Sequence, residues 1–152
     1  MAVVNPFDPR TIVFAKHAQH VVLVHFPIAL FLTAVGFDLA AQWMKKPILA
    51  VVAHYNLLIA AVATVPVVIT GLLAWQWELE GHKLRGLLLQ HLVMGLLSSG
   101  LIWLVWWIHS SARTSEGQSL PAYQLPTEMM AALAVAVTAH LGGFLSGVNG
   151  VR

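Results

Sequence analysis

The amino-acid sequence predicts an all-α integral membrane protein in which four transmembrane helices form an antiparallel, up-down-up-down bundle with both termini on the same side. Composition is the first observation behind this prediction. The 152 residues are 59% hydrophobic and only 9% charged, whereas roughly a quarter of the residues in a soluble domain are charged. The second observation is that the charged residues stand in short groups separated by long uncharged stretches. Most soluble enzyme folds are thereby excluded.

The uncharged stretches are long enough to cross a membrane, because a hydrocarbon core of about 30 Å needs roughly 20 helical residues. The first stretch follows Lys16 and ends before Asp38. The second ends before Glu78, and the third ends before Arg113. A polar loop containing proline leads to the last stretch, which ends in glycines. We expect a single domain over residues 1–152, with spans at about 17–43, 48–77, 84–109 and 126–148.

Short connections between consecutive spans favour antiparallel neighbours, which brings both termini to one face of the membrane. We call this face side A and the opposite face side B. Side A carries more Lys and Arg than side B, so the positive-inside rule predicts that side A is cytoplasmic. The basic residues are Arg10, Lys16, Lys83, Arg85 and Arg152 on side A, and Lys45, Lys46 and Arg113 on side B.

Several function classes lack their sequence patterns here. There is no cysteine, which excludes thiolate-bound zinc, iron–sulfur clusters and disulfides. We find no Ser-His-Asp arrangement, no glycine-rich phosphate loop, no basic run for nucleic acid and no internal repeat. We also expect no carboxylate pair inside the membrane. Asp38 lies within the first span, and we expect its side chain to reach the side B interface, with a proton-relay or quinone-site role as the alternative.

Histidine is the residue type that carries the chemistry of this sequence. The eight histidines equal Lys plus Arg in number, and several lie inside apolar spans, where a polar side chain indicates function. At about 1.5 Å per residue, His25, His91 and His140 lie roughly one to two helical turns below side A. They belong to three different spans, so we expect them to converge on one bound cofactor or ion.

A haem is the cofactor that this arrangement favours. The first and third helices of an antiparallel four-helix bundle are diagonal partners, so His25 and His91 would face each other across its axis. Two neutral imidazoles are the axial ligands of a low-spin b-type haem, and apolar side chains would bury the porphyrin. Glycines at that depth would give room to the macrocycle, or would only allow close helix packing. The predicted cofactor-binding residues are His20, His25, His91, His140, Gly71 and Gly95, with His25 and His91 as iron ligands.

Other histidines lie nearer the two interfaces. For His17 and His20, a propionate contact, a quinone hydrogen bond and plain solvation remain open. His54 and His109 are candidates for a second haem near side B. His109 follows His91 by eighteen residues on the third span, so the two lie about 27 Å apart on one helix face. The alternative for His109, which follows a Trp-Trp pair, is membership of the ordinary aromatic belt.

The run His-Ala-Gln-His-Val-Val-Leu-Val-His-Phe-Pro-Ile-Ala-Leu, at residues 17–30, resembles the opening signature of a bacterial family of small four-helix predicted membrane proteins of unknown function. The likeness covers nearly the whole chain and continues with Thr70-Gly71-Leu72-Leu73, His91 and Leu141-Gly142-Gly143. Two features depart from the family pattern. Ala18 and Val21 stand in place of proline, and His140 stands in place of an apolar or tryptophan residue, which makes His140 a weaker candidate ligand.

The family pattern is more distantly similar to four-helix b-type cytochrome subunits, which exchange electrons with quinone. Together with the histidines, this resemblance implies an electron-transfer subunit of a respiratory or photosynthetic redox complex rather than an enzyme acting alone. We expect it to lie in the bacterial inner membrane, in contact with lipid, other subunits and quinone, and to bind haem b. Two alternatives stay open: a structural accessory subunit with interhelical histidine hydrogen bonds, and a histidine-lined metal or proton conduit.

Overall fold

The computed structural model describes residues 16–78, 83–113 and 121–147, without the side chains of residues 16–18, 78 and 113. This part of the chain is helical and contains no strand. Its helices are α1 Lys16–Leu23, α2 His25–Met44, α3 Pro47–Glu78, α4 Gly86–Arg113 and α5 Gln124–Leu145. Four of its segments are long and apolar enough to cross a membrane: Gln19–Met44, Pro47–Trp77, Gly86–Ala112 and Gln124–Leu145. The prediction of four spans is therefore confirmed, with boundaries that differ by a few residues.

The first crossing is built from two helices because the chain is interrupted at Val24. Pro27 has no N–H to donate to the carbonyl of Leu23, four residues earlier, and α1 ends at that residue. The side chain of His25 adds to the interruption, because its Nδ1 lies 2.7 Å from the carbonyl oxygen of Val21. The second proline that the sequence places within a span, Pro66, lies inside the continuous helix α3.

A tight turn joins the first two crossings. Lys45 adopts a left-handed conformation with φ of 52°, and the N–H of Lys46 donates to the carbonyl of Ala41 at 3.1 Å. Pro47 then begins α3, where its fixed φ suits the first helical turn and its missing N–H leaves no bond unmade. The two crossings consequently form a close antiparallel hairpin.

The helices pack in the order in which they occur in the chain. α2 lies along α3, α4 lies along α5, and α3 also contacts α1 and α4. The first and third crossings are therefore diagonal partners. The core between the helices is rich in alanine, which lets their backbones approach closely. It consists of Phe31, Ala34, Val35, Ala53, Leu57, Ala60, Ala61, Ile102, Val105, Ala131 and Val135. Large apolar side chains elsewhere face outward, as expected in lipid.

Candidate functional site

Two histidine-containing groups of polar side chains lie inside the described part of the bundle, one toward each end of the alanine-rich core. We name the first the histidine pair; it consists of His20 on α1 and His91 on α4. Their ring centres are 6.5 Å apart and their planes are nearly perpendicular, at 85°. Both side chains are half-buried. The pair thus joins the first and third crossings across the bundle, near side A.

The imidazole of His20 packs against Val67, Thr70 and Gly71 of α3, which we call its seat. Its Nδ1 lies 3.0 Å from the carbonyl oxygen of Val67 and 3.3 Å from Oγ1 of Thr70. The proton on Nδ1 donates to that carbonyl, which leaves the lone pair on Nε2. Gly71 makes room for the ring, because a Cβ at this position would lie only 2.9 Å from Cε1 of His20.

The imidazole of His91 rests in a matching seat formed by α5. Its Nδ1 lies 3.2 Å from the carbonyl oxygen of Thr138, and the Nδ1 proton again donates to a backbone carbonyl. A Cβ at Gly142 would lie 3.0 Å from Cε1 of this ring. Each histidine therefore has a backbone acceptor and a facing glycine on the next crossing.

The two seats are related by an internal repeat. Each histidine bonds a carbonyl 47 residues later in the chain. Positions 20 and 91, 67 and 138, and 71 and 142 all differ by 71 residues. Core positions follow the same offset, as in Phe31 with Ile102, Ala34 with Val105, and Ala60 with Ala131. The expectation that the chain has no internal repeat is therefore wrong, because crossings one and two present positions equivalent to those of crossings three and four.

The structure places the other predicted haem-site residues apart from the histidine pair. His25 is exposed and bonds its own helix through the Val21 carbonyl. His140 is also exposed, and its ring centre lies 4.9 Å from that of Phe144 on the same helix. Gly95 faces Cγ2 of Thr138 at 3.8 Å, an ordinary packing distance. The side chain of His17 lies outside the described part. Thus His20, rather than His25, is the histidine that the structure sets beside His91.

The second polar group lies toward side B, and we name it the acid–histidine cluster. Nε2 of His109 on α4 lies 2.6 Å from Oδ2 of Asp38 on α2 and 3.5 Å from Oε1 of Glu128 on α5. Nε2 of Gln124 lies 2.7 Å from the same Glu128 oxygen and 2.6 Å from Nε2 of His109. Relative exposure is 0% for Asp38 and Glu128, 1% for His109 and 2% for Gln124.

This cluster corrects two expectations about acidic residues. Asp38 does not reach the interface, because its side chain is fully buried against His109. A carboxylate pair does lie inside the membrane, since Asp38 and Glu128 both contact the same imidazole nitrogen. Glu128 is not expected as its partner because it stands only two residues into the predicted fourth span of about 126–148, at the interface end of that span. The helix starts earlier, at Gln124, and carries Glu128 one turn into the span.

The proposed second haem ligands also meet in this region. The ring centres of His54 on α3 and His109 are 6.2 Å apart, with planes tilted by 32°. However, Nε2 of His109 is already held by Asp38, so the nitrogen faces a carboxylate. This differs from the histidine pair, in which each Nδ1 bonds a backbone carbonyl. The arrangement near side B is therefore typical of charge neutralisation, cation binding or proton exchange.

Comparison with known proteins places the chain in a family without giving it an activity. A family model described as "Predicted membrane protein (DUF2231)" matches residues 16–152. No curated protein and no solved structure matches the chain. The match spans all four crossings, and it confirms the resemblance that the His-Phe-Pro-Ile-Ala-Leu run indicates. The chain belongs to the DUF2231 family of predicted membrane proteins.

Proposed function

We propose that this multi-pass membrane protein is a b-type cytochrome whose haem iron is held by His20 and His91. The observation that carries the proposal is the histidine pair itself: two imidazoles on diagonal crossings with ring centres 6.5 Å apart. The proposed ligands differ from the His25 and His91 pair expected from depth alone. His25 is exposed and bonds its own helix, whereas His20 lies beside His91.

The spacing of the two rings suits two imidazoles on one metal ion. Metal–imidazole bonds are about 2 Å long, and the ring centre lies roughly 1 Å behind the bonded nitrogen, so two axial ligands have ring centres about 6 Å apart. The histidine pair has this separation without any change in the helices. The pair belongs to apolar spans, as a buried porphyrin requires.

The hydrogen bonds of the two rings also suit axial ligands. An imidazole that donates its Nδ1 proton to a carbonyl is fixed in tautomer and orientation, with Nε2 as the metal-binding atom. Val67 supplies this carbonyl to His20, and Thr138 supplies it to His91. Gly71 and Gly142 allow each ring to lie close to its supporting helix. The chain therefore orients both ligands before any cofactor enters.

A haem in this site supplies one-electron transfer. The chain's contribution is to hold both ligand nitrogens and to exclude water from the pair. We infer that the electrons pass to or from other subunits of a redox complex or a membrane quinone, so that the protein acts as an electron-transfer subunit. We also infer a bacterial inner-membrane location with side A cytoplasmic, from the excess of Lys and Arg on that face.

The test is a dithionite-reduced minus air-oxidised absorbance spectrum of the full chain, expressed with ample haem and purified in mild detergent. We expect a sharp b-type α-band and about one haem per chain. His20→Ala and His91→Ala should each lose the band. His25→Ala and His140→Ala are the matched controls, because both histidines lie near side A but are exposed, and both variants should keep it.

The outcomes separate the ligand assignment from the cofactor. A featureless wild-type spectrum from a protein that elutes as a single folded species would overturn the cytochrome proposal. A band that disappears in His25→Ala but survives in His20→Ala would keep the cytochrome and overturn the ligand pair. About two haems per chain, with one lost in His109→Ala, would extend haem binding to His54 and His109.

A further inference from the structure

We propose that the acid–histidine cluster binds a divalent first-row transition-metal ion, separately from the histidine pair. Asp38, His109 and Glu128 come from three different helices, and one ligand atom of each lies within 4.8 Å of the other two. Ligands bonded at about 2.0–2.2 Å to one tetrahedral ion lie roughly 3.5 Å apart, so shifts of an ångström or less would bring all three to an ion.

Even a protonated His109 would balance only one of the two carboxylates of the cluster, so a second positive charge is needed when both are ionised. Asp38 and Glu128 are fully buried within the spans, where ionised carboxylates are costly unless they are paired. The basic side chains Lys45, Lys46, Lys83 and Arg85 are all exposed, so none of them neutralises the cluster. One divalent ion bound by two carboxylates and a neutral imidazole has no net charge. Such a complex is therefore compatible with burial in an apolar span.

Unpartnered oxygen atoms point to the same conclusion. Oδ1 of Asp38 and Oε2 of Glu128 are buried and have no hydrogen-bond partner among the described residues. Buried polar atoms normally have such a partner, and each exception needs an explanation. A metal ion provides one, because carboxylates bind metals through either or both oxygens.

Gln124 offers a fourth ligand atom for the proposed metal ion. Its Nε2 lies 2.6 Å from Nε2 of His109, whereas its Oε1 is buried without a partner. Two nitrogen atoms at this distance are closer than the usual hydrogen-bond range of about 2.7–3.2 Å. Turning the amide by half a rotation exchanges the two atoms and brings the oxygen beside Oε1 of Glu128, where two acceptors need a proton or a metal ion between them. Gln124 would then offer an oxygen to the same ion.

The donor set decides the class of metal. One imidazole, two carboxylates and an amide oxygen contain no sulfur, so the set does not select soft metals such as Cu(I). Imidazole suits zinc, iron and nickel, while carboxylate oxygens suit manganese. His54, with its ring centre 6.2 Å from that of His109, sets a second imidazole next to the cluster. We therefore choose Zn²⁺ and Mn²⁺ as probes, with Co²⁺ as the spectroscopic substitute.

The test measures metal content and affinity in the full chain in detergent. The protein is dialysed against chelator, loaded with Zn²⁺ or Mn²⁺, desalted and measured by elemental analysis, and affinity follows from calorimetry. We expect about one ion per chain in wild type and at least a tenfold weaker Kd in Asp38→Asn and in Glu128→Gln. Both substitutions keep side-chain shape. His25→Ala is the control, since it removes an exposed histidine outside the cluster and should bind like wild type.

Two further measurements keep the proposal decidable. Co²⁺ should produce visible d–d bands in wild type and in His91→Ala, which separates this site from the histidine pair. Saturating Zn²⁺ should raise the Tm of wild type, a result that does not depend on whether the variants fold. A wild-type protein that retains none of these ions after desalting and gains no Tm overturns the metal site. The cluster would then be a network of shared protons.

Discussion

The histidine pair and the acid–histidine cluster are each built on two positions that are equivalent in the internal repeat, yet their chemistry differs. Positions 20 and 91, which are 71 residues apart, both hold histidine, and each ring bonds a backbone carbonyl of the next crossing. Asp38 and His109 are also 71 positions apart, but here the residues differ and contact each other directly. The repeat thus produces a symmetrical two-histidine arrangement near side A and an asymmetric ion pair near side B.

The supporting helices differ in the same way. Gln124 and Glu128 on α5 complete the acid–histidine cluster, whereas their repeat counterparts on α3 are Ala53 and Leu57, both fully buried in the apolar core. The second crossing is therefore apolar at the two positions where the fourth crossing carries an amide and a carboxylate. Both ends of the bundle thus share one backbone plan, and a few side chains decide which polar groups meet at each end.

The largest expected effect is a separation of the two sites. The double variant His20→Ala/His91→Ala should lose the haem band completely and still bind one divalent ion per chain. Asp38→Asn/Glu128→Gln should do the reverse, because the two groups lie toward opposite ends of the spans. Haem absorbance and elemental analysis on the same samples measure both ligands. Loss of both ligands in either variant, with the elution profile unchanged, would mean that the two sites are coupled.

The second expected effect is on stability. Asp38→Ala should lower the free energy of unfolding of metal-free protein by about 3–5 kcal/mol, because it removes the nearer of the two carboxylates that contact buried His109. His20→Ala should cost less, about 1–3 kcal/mol, since its ring is only half-buried. Unfolding in mixed detergent measures both values.

The control for this comparison is the triple variant Asp38→Leu/His109→Leu/Glu128→Leu. Replacing a complete buried ion pair by apolar residues is often neutral or stabilising, so this variant should recover much of the lost stability while binding no metal. Equal losses of unfolding free energy in Asp38→Ala and His20→Ala would indicate that the two groups are buried alike. That result would contradict the expected difference between them.

A smaller effect should follow from closing the two seats. Gly71→Ala places a Cβ 2.9 Å from the His20 ring and Gly142→Ala places one 3.0 Å from the His91 ring, so each ring must shift. We expect a loss of about 1–3 kcal/mol and a changed haem spectrum in each case. Gly100→Ala is the matched control, because nothing lies within 4 Å of its added Cβ. Similar results for all three variants would contradict the proposed role of the seats.

The smallest expected effect concerns a hydroxyl that contacts the imidazole in one seat and has no equivalent at that position in the other. Thr70 places Oγ1 3.3 Å from Nδ1 of His20, whereas its repeat counterpart near His91 is Leu141. Thr70→Val should cost about 0.6 kcal/mol, the average of a polar contact inside a membrane, and should leave the haem band intact. Leu141→Val is the control on the other half. A lost band in Thr70→Val alone would show that the hydroxyl, and not the Val67 carbonyl, orients His20.

Hydropathy and charge predicted the four crossings because both quantities are summed over some twenty residues, which makes them insensitive to any single side chain. The interruption at Val24 is also readable, since Pro27 removes one backbone donor. The pairing of His20 with His91 cannot be predicted from the sequence in this way. His20 and His25 lie on either side of that interruption, so the direction of each ring depends on how α1 packs on α3.

The acid–histidine cluster was missed for a different reason. Asp38, His109 and Glu128 lie on three crossings, and their convergence depends on helix rotation and on where α5 begins. The internal repeat did leave a signal, because His20 and His91, Gly71 and Gly142, and the Ala-Ala pairs at 60–61 and 131–132 all fall 71 residues apart. An alignment of the chain with itself at this offset would have indicated the two seats.

The two seats also have a consequence for biogenesis. Each is completed within one helical hairpin: His20 meets Val67 and Gly71 within crossings one and two, and His91 meets Thr138 and Gly142 within crossings three and four. A nascent chain therefore has one finished seat as soon as its first hairpin enters the bilayer. The two rings come to lie beside each other only after the second hairpin docks. Capture of a cofactor between them would consequently mark the end of insertion, and chains arrested after the first hairpin would insert without it.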